Sequence, residues 1–294
     1  MYYRRKVILS LLEVFDNELE KIQIQKLLFL FSRYKTRKTF DFVPYKFGCF
    51  SFQANQDLKT LSKYGITEQS NSSWKKIDQT TYLNQLDKKD KKIISDFKVI
   101  YSRKSSDDLI KLTYQRYPYY AINSIVSSKY LSQNEINKLE SYKSNDNNTT
   151  LFTIGYEGIS LEHYLNKLIK NNVKVLCDVR KNAMSMKYGF SKSQLKNSCE
   201  GVGIEYVHIP EVGIVSEKRK VLDTQEDYDS LFQDYKNNSL NKTIAFQEKI
   251  LEMLKEKRRI ALTCFEADPC QCHRTHLAEA IRQFDGFNYE LEHL

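Results

Sequence analysis

From Leu151 to Leu294, short apolar runs alternate with stretches of helical periodicity, and this alternation constrains the fold more than any other feature of the chain. LFTIGY (151–156) reads as a strand, followed by a helix over Ser160–Lys170. VKVLCDV (173–179) is a second strand, leading through a long loop (180–190) to a helix over Ser191–Cys199. IEYVHI (204–209) is a third, followed by a polar segment and a long helix from Asn241 to Lys257. RIALTCF (259–265) is a fourth strand, Thr275–Phe284 a helix, and NYELEHL (288–294) a closing strand. Such alternation implies parallel strands joined by right-handed crossovers and covered by helices on both faces, a three-layer parallel-sheet (Rossmann-like) α/β domain. Ligands of such sheets sit beyond the carboxyl ends of the strands, so the residues leaving each strand are where a site is sought.

The first half reads differently. Arg5–Phe15, Ile22–Tyr34, Phe52–Tyr64, Asp87–Tyr101, Ser106–Tyr117 and Gln133–Tyr142 carry apolar residues at three-to-four spacing, which predicts a mainly α domain. A short extended segment around the Gly48 turn makes a winged-helix-like arrangement the expectation, and Thr67–Lys76 (TEQSNSSWKK) is read as a loop. SYKSNDNNTT (141–150) has no large apolar residue after Tyr142, so the boundaries are a domain over 1–142, a linker over 143–150 and the α/β domain over 151–294. Charge follows the same division. Residues 1–148 hold 26 Lys+Arg against 16 Asp+Glu (+10) and the remainder 20 against 21 (−1), which together make the net +9. A concentrated positive charge favours polyanions, so nucleic acid is the expected partner of the first half, with a solvated lysine-rich surface as the alternative. No apolar run is long enough to span a bilayer, and the amphipathic start lacks a cleavage site; the expectation is a cytoplasmic protein with no membrane partner and reduced cysteines.

Four segments of the second half carry chemistry. Gly155, Tyr156 and Glu157 follow the first strand, in a turn where glycine lets backbone approach a ligand and a helix N-terminus suits an anion. Ser160 as the cap of that helix is the competing explanation of the turn. Asp178 and Arg180, at alternate positions ending the second strand, point the same way. They are read either as an acid/base residue with an anion clamp or as a structural ion pair pinning the loop that carries Ser185 and Lys187. On the third strand Tyr206 and His208 share a side, one of them able to stack a planar ligand. The richest segment is C-F-E-A-D-P-C-Q-C-H-R (264–274), in which Cys264 ends a strand, Glu266 and His273 are candidate acid/base groups and Arg274 opens a helix. Its spacing is neither a phosphatase C-x5-R loop nor a glycine-rich thiol cradle. Cys270, Cys272, His273 and His276 lack paired C-x2-C knuckles, so no metal is assigned and the cofactor is left open.

With these elements in order, the second half resembles the domain-of-unknown-function family 488 (YeaO-like). The resemblance rests on Thr153–Gly158, Asp178–Arg180, Ser185–Lys187 with Gly189–Lys192, Gly203–His208, and Cys264–Glu266 with Cys272–Arg274. Glu211-Val212-Gly213 stands where that family has a Leu-Gly-Gly-like turn. The resemblance implies a fold and a site rather than a substrate. The layout is also loosely similar to a rhodanese domain, which implies sulfur transfer at Cys264, although Asp268 and Pro269 interrupt the ring of amide donors a persulfide needs. Lys26–Leu30 and Tyr45–Ser51 are similar to the Panacea (SocA-like, phage-associated) domain, implying a phage-defence or toxin–antitoxin setting. The leading expectation is that the α/β domain binds and processes a nucleotide or nucleic-acid component. Arg180 and Arg274 would hold phosphate, Asp178 and Glu266 would move protons, and Cys264 would line the pocket. A non-catalytic sensor using the same pocket is the alternative, and a sulfur-transfer enzyme the third reading.

Overall fold

The computed structural model describes residues 1–35, 38–215 and 224–294. The chain divides into two compact units, Met1–Lys143 and Ser144–Leu294.

The first unit is mainly helical. It runs α1 (Tyr3–Val14), β1 (Glu18–Glu20), α2 (Lys21–Arg33), β2 (Val43–Tyr45), β3 (Gly48–Phe50), α3 (Phe52–Lys63), β4 (Thr67–Gln69), β5 (Ser73–Lys76), α4 (Lys88–Tyr101), α5 (Ser106–Arg116), α6 (Ser127–Tyr130) and α7 (Gln133–Glu140). α2 carries two apolar stripes and is buried nearly all round, Ile24, Leu27, Leu28, Phe29, Leu30 and Phe31 being covered by its neighbours. Its start is fixed by a capping box between Glu20 and Gln23. α1 is tied to α3 by Arg4 and Arg5, which share the wholly buried carboxylate of Asp57. Thr67–Lys76, expected as a loop, is instead the β4–β5 hairpin of a three-stranded antiparallel sheet in the order β1–β5–β4. Trp74 anchors it: opposite Leu19 in the ladder and buried, this single large apolar residue gives a polar stretch an inward face.

The second unit is the expected α/β layer structure. β6 (Thr150–Gly155), α8 (Leu161–Lys170), β7 (Val175–Asp178), α9 (Lys192–Glu200), β8 (Glu205–His208), α10 (Gln225–Asp234), α11 (Ile244–Lys257), β9 (Arg259–Cys264), α12 (His273–Arg282) and β10 (Glu290–His293) follow in order. The five strands are all parallel, in the order β10–β6–β9–β7–β8. Leu151, Val175, Cys177, Ile260 and Leu262 face a core shared with α10, α11 and α12. The opposite face receives α8, whose Tyr164 hydroxyl bonds Thr263 Oγ1 at 2.7 Å. Ser160 caps α8 by accepting from the His163 amide, so the first turn has its capping explanation. α10 falls in the segment read only as polar and is opened by a Thr224–Asp227 capping box. The stretch before β6 is tied to this unit as well, since Arg259 bonds the Asn148 carbonyl at 2.8 Å and the Asp146 carboxylate at 3.0 Å.

Strand order decides where a crevice opens. From β7 the chain moves outward to β8 on one side, and from the adjacent β9 it moves past β6 to β10 on the other. The loops leaving β7 and β9 therefore diverge, and the gap between them is the switch point at which sheets of this kind take ligands.

Candidate functional site

The site grows from those two strand ends. Asp178, the last residue of β7, is wholly buried. Its Oδ1 accepts from the Arg180 amide (3.2 Å) and Nε (2.8 Å), and its Oδ2 from Arg180 Nη2 (2.5 Å) and the Tyr206 hydroxyl (2.6 Å). Arg180 Nη1 reaches the Tyr156 hydroxyl at 2.7 Å and the Phe190 carbonyl at 2.9 Å, and its guanidinium lies over the Tyr156 ring. Burial alone works to discharge this arginine, but the bonds to Asp178 outweigh it and raise its pKa further. Burial and then the Asp178 charge push the Tyr206 phenol well up, keeping it a donor. Asp178, Arg180 and Tyr206, expected at the mouth as proton carrier, anion clamp and stacking platform, thus bond one another. Arg180 pins the far end of the 180–190 loop through Phe190, which is the ion-pair alternative drawn from the sequence.

The loop so pinned forms one wall of a cavity of about 470 Å³. Arg180, Lys181, Asn182, Ser185, Met186 and Lys187 line it on this side, with Tyr156, Phe265, Cys264 and His273 on the other, so Arg180 borders the cavity as well as holding Asp178. Ser185 shapes the wall by accepting from the Lys187 amide, and the Ser191 hydroxyl closes the same turn by donating to the Ser185 carbonyl. Lys187 bonds the Tyr156 carbonyl at 2.6 Å, and partial burial lowers its pKa. Met186 is fully exposed at the rim and Phe265 partly so, an apolar edge to a cation-bearing wall. A shallower groove of about 590 Å³ shares Lys181, Asn182 and Met184 with this cavity and adds Lys192, Lys196 and His208. The unit is close to neutral overall, yet four lysines collect at this one edge. Lys181, Asn182 and Lys196 belong to none of the motifs picked out from the sequence, and Phe265 and Lys192 fall inside motifs without being given a role. Their signal was position alone, directly after a strand or at the opening of a helix.

The floor comes from β9 and α12. Cys264 Sγ lies 3.2 Å from Glu266 Oε2 and 3.5 Å from His273 Nδ1. His273 Nε2 stands 3.1 Å from the Val179 carbonyl, which can only accept. That contact places the proton on Nε2 and leaves the Nδ1 lone pair towards the thiol. Cys272, at the N-cap of α12, completes the group: the Sγ atoms of Cys264 and Cys272 and a ring nitrogen of His273 all lie within 4.8 Å of one another. All three side chains are buried, and burial followed by the Cys264 contact raises the Cys272 thiol pKa. Cys270 is exposed and outside the group.

Arg274 stands beneath this floor rather than in the cavity. Wholly buried, it bonds the carbonyls of Glu266 (2.5 Å) and Ala267 (3.2 Å), holding the loop that carries Glu266; its Nε has no hydrogen-bond partner among the described residues. Gly155 serves the same loop, because a Cβ there would come 1.8 Å from the Glu266 carbonyl oxygen, closer than any side chain could sit. Glu157 is likewise turned onto the loop, accepting from the Ala267 amide at 3.1 Å. Gly213, in the turn after β8, approaches the Lys181 amide so closely that a Cβ would stand 2.3 Å from it.

The family model for Domain of unknown function DUF488 matches residues 160–281, which span α8 to α12 and include every residue of the floor and of the lysine-bearing wall. A search of curated proteins returned no match for the chain.

Proposed function

We propose that the second unit binds a nucleotide or an exposed nucleic-acid component in the crevice between β7 and β9 and processes it there. The observation that carries this reading is the composition of the cavity. One wall bears Lys181 and Lys187 for phosphate and Asn182 and Ser185 for polar edges; the other bears Phe265 for a base; a thiol–imidazole–carboxylate group lies at or beside the floor. Cations at a water-restricted edge attract phosphate far more strongly than the same charges spread over an open surface. The adjoining groove with Lys192 and Lys196 lets a strand continue past the cavity, which favours a nucleotide embedded in a chain over a free small anion. Glu266 is the acid/base residue of this reading. Asp178 and Arg274 are its scaffold rather than its ligands, because their bonds are made within the unit; Arg180 borders the cavity, but Asp178, Tyr156 and the Phe190 carbonyl engage its guanidinium, and it is read as scaffold as well. Sulfur transfer is disfavoured by the Glu266 carboxylate beside Cys264, whose charge opposes a persulfide anion.

The first unit is the nucleic-acid-binding module of this proposal. Its element order α1–β1–α2–α3–β4–β5 and sheet order β1–β5–β4 support a winged-helix arrangement with the β2–β3 hairpin inserted. In it α3 presents exposed Lys59 and Lys63, and the β4–β5 hairpin exposed Lys75. These residues would approach phosphates and α3 a groove.

The test separates binding from processing in the full chain. Glu266→Gln is expected to abolish turnover of a single-stranded oligonucleotide while leaving its affinity within about threefold, a difference of roughly 0.65 kcal/mol. A wild-type protein that binds the oligonucleotide and never alters it would make the crevice a sensor. A protein with no salt-dependent binding to any nucleic acid would end the proposal.

A further inference from the structure

The floor group matches one kind of ligand in three independent respects. The first is donor chemistry: two thiols and an imidazole are the set preferred by zinc among the abundant divalent ions. The second is spacing. With Zn–S about 2.3 Å and Zn–N about 2.0–2.1 Å, a tetrahedral angle separates sulfur from nitrogen by about 3.5 Å. Cys264 Sγ and His273 Nδ1 are 3.5 Å apart. The third is orientation. A histidine that binds metal through one nitrogen typically donates its other N–H to a backbone carbonyl or a carboxylate, and His273 Nε2 is held in that way by Val179.

We propose that Cys264, Cys272 and His273 bind a zinc ion, each thiol releasing its proton to solvent, with a fourth coordination position opening towards the cavity. Three protein ligands and an open position are the pattern of a catalytic rather than a structural zinc. Cys264 and His273 both line the cavity, so a water or an oxygen or nitrogen donor of the bound nucleotide takes the fourth place. Two thiolates balance the charge of the ion, and the buried Arg274 holds the backbone of Glu266 in place beside it. Glu266 stands next to the metal, 3.2 Å from a ligand atom, where it can take a proton from a metal-bound water. The working role of the ion rests on the reading of the cavity given above; its binding does not.

The sequence hides this site because its ligands do not fall in two short knuckles. Cys264 ends a strand, Cys272 and His273 open a helix, and the turn over Pro269–Gln271 brings them together.

Full-length protein purified without chelator or an immobilised-metal step should carry close to one zinc per chain by elemental analysis. Replacing it with cobalt should give the visible spectrum of a tetrahedral thiolate complex. Cys272→Ser, which alters a ligand outside the cavity lining, should lose at least tenfold in zinc affinity, whereas Cys270→Ser should retain the metal. The cobalt spectrum of the wild type keeps the test open if Cys272→Ser fails to fold. Three results would each overturn the proposal: no zinc and no thiolate–cobalt spectrum in the wild type, zinc retained unchanged by Cys272→Ser, or isolation of a Cys264–Cys272 disulfide as the resting state. Zinc without nucleotide binding would leave the metal site standing and remove the cavity reading; nucleotide binding without zinc would do the reverse.

Discussion

Asp178→Asn distinguishes a scaffold from a ligand clamp most sharply. The Asp178 carboxylate is wholly buried and accepts four hydrogen bonds, three of them from Arg180 and one from Tyr206. Asparagine keeps the shape, removes the charge and turns an amide N–H₂ towards donors. The Arg180 guanidinium, itself only 5% exposed, is then left charged without its counterion. Removing one partner of a buried pair costs about 3–5 kcal/mol, because the remaining ion stays desolvated. For a unit of this size each kcal/mol moves the midpoint by about 2–4 °C, so the expected loss is about 6–20 °C. Arg180 also holds the Phe190 carbonyl, and hydrogen exchange should therefore quicken across the 180–190 loop. Urea or thermal unfolding followed by far-UV circular dichroism reads the loss. The only tryptophan, Trp74, lies buried in the first unit, so its fluorescence should keep its wild-type transition and serve as an internal control. A variant destabilised by less than about 1 kcal/mol that nonetheless loses nucleotide affinity would show that Asp178 and Arg180 act on the ligand, and the scaffold argument would fail.

Three further outcomes follow from the same geometry. Gly155→Ala drives a methyl into the Glu266 carbonyl and should cost about 3 kcal/mol or more, with turnover lost beyond what stability explains because the loop bearing Glu266 must move; a neutral effect on both would contradict the close approach. His276 is half-buried against Phe232, its Nε2 has no hydrogen-bond partner among the described residues, and burial lowers its pKa to about 4. Its folded pKa lies below the unfolded value, so stability is intact above about pH 6.5 and declines as pH falls towards 4. Allowing for partial exposure, that decline is on the order of 1–2 kcal/mol, and His276→Leu should flatten this part of the pH–stability curve. Lys192→Glu with Lys196→Glu should reduce the salt slope of oligonucleotide binding by about 2, one per phosphate contact, without moving the thermal midpoint; an unchanged slope would take the groove out of the binding path.

The strands of the second unit are legible because parallel strands buried on both faces are mostly apolar along their length, as 260–264 and 151–154 are apart from Thr263 and Thr153. The residues at their ends were legible too, since the sheet topology leaves little choice of where a site can form. Their roles were less so. Two residues at alternate positions at a strand end point into a cleft, but they also point at each other, and the bonds from Tyr206 and to the Phe190 carbonyl, which come from elsewhere in the chain, are not legible in the sequence. Arg274, near the start of a helix, is expected from the sequence to hold phosphate, yet its side chain bonds the carbonyls of Glu266 and Ala267. The grouping of Cys264 with Cys272 and His273 depends on a single short turn, whose path no periodicity announces. In the first unit the β4–β5 hairpin was missed for a similar reason. Its strands are three and four residues long, and one tryptophan carries nearly all of their inward apolar surface.

The central claim is that the crevice between β7 and β9 is a nucleotide site, and a calorimetric titration of nucleotides and a short single strand into the full-length protein tests it directly. The account predicts saturable binding that Lys181→Glu with Lys187→Glu weakens at least tenfold, about 1.4 kcal/mol, the protein staying folded although loss of the Lys187–Tyr156 bond lowers the unfolding midpoint. Binding that survives this double replacement unchanged, or no binding of any nucleotide at all, would contradict it.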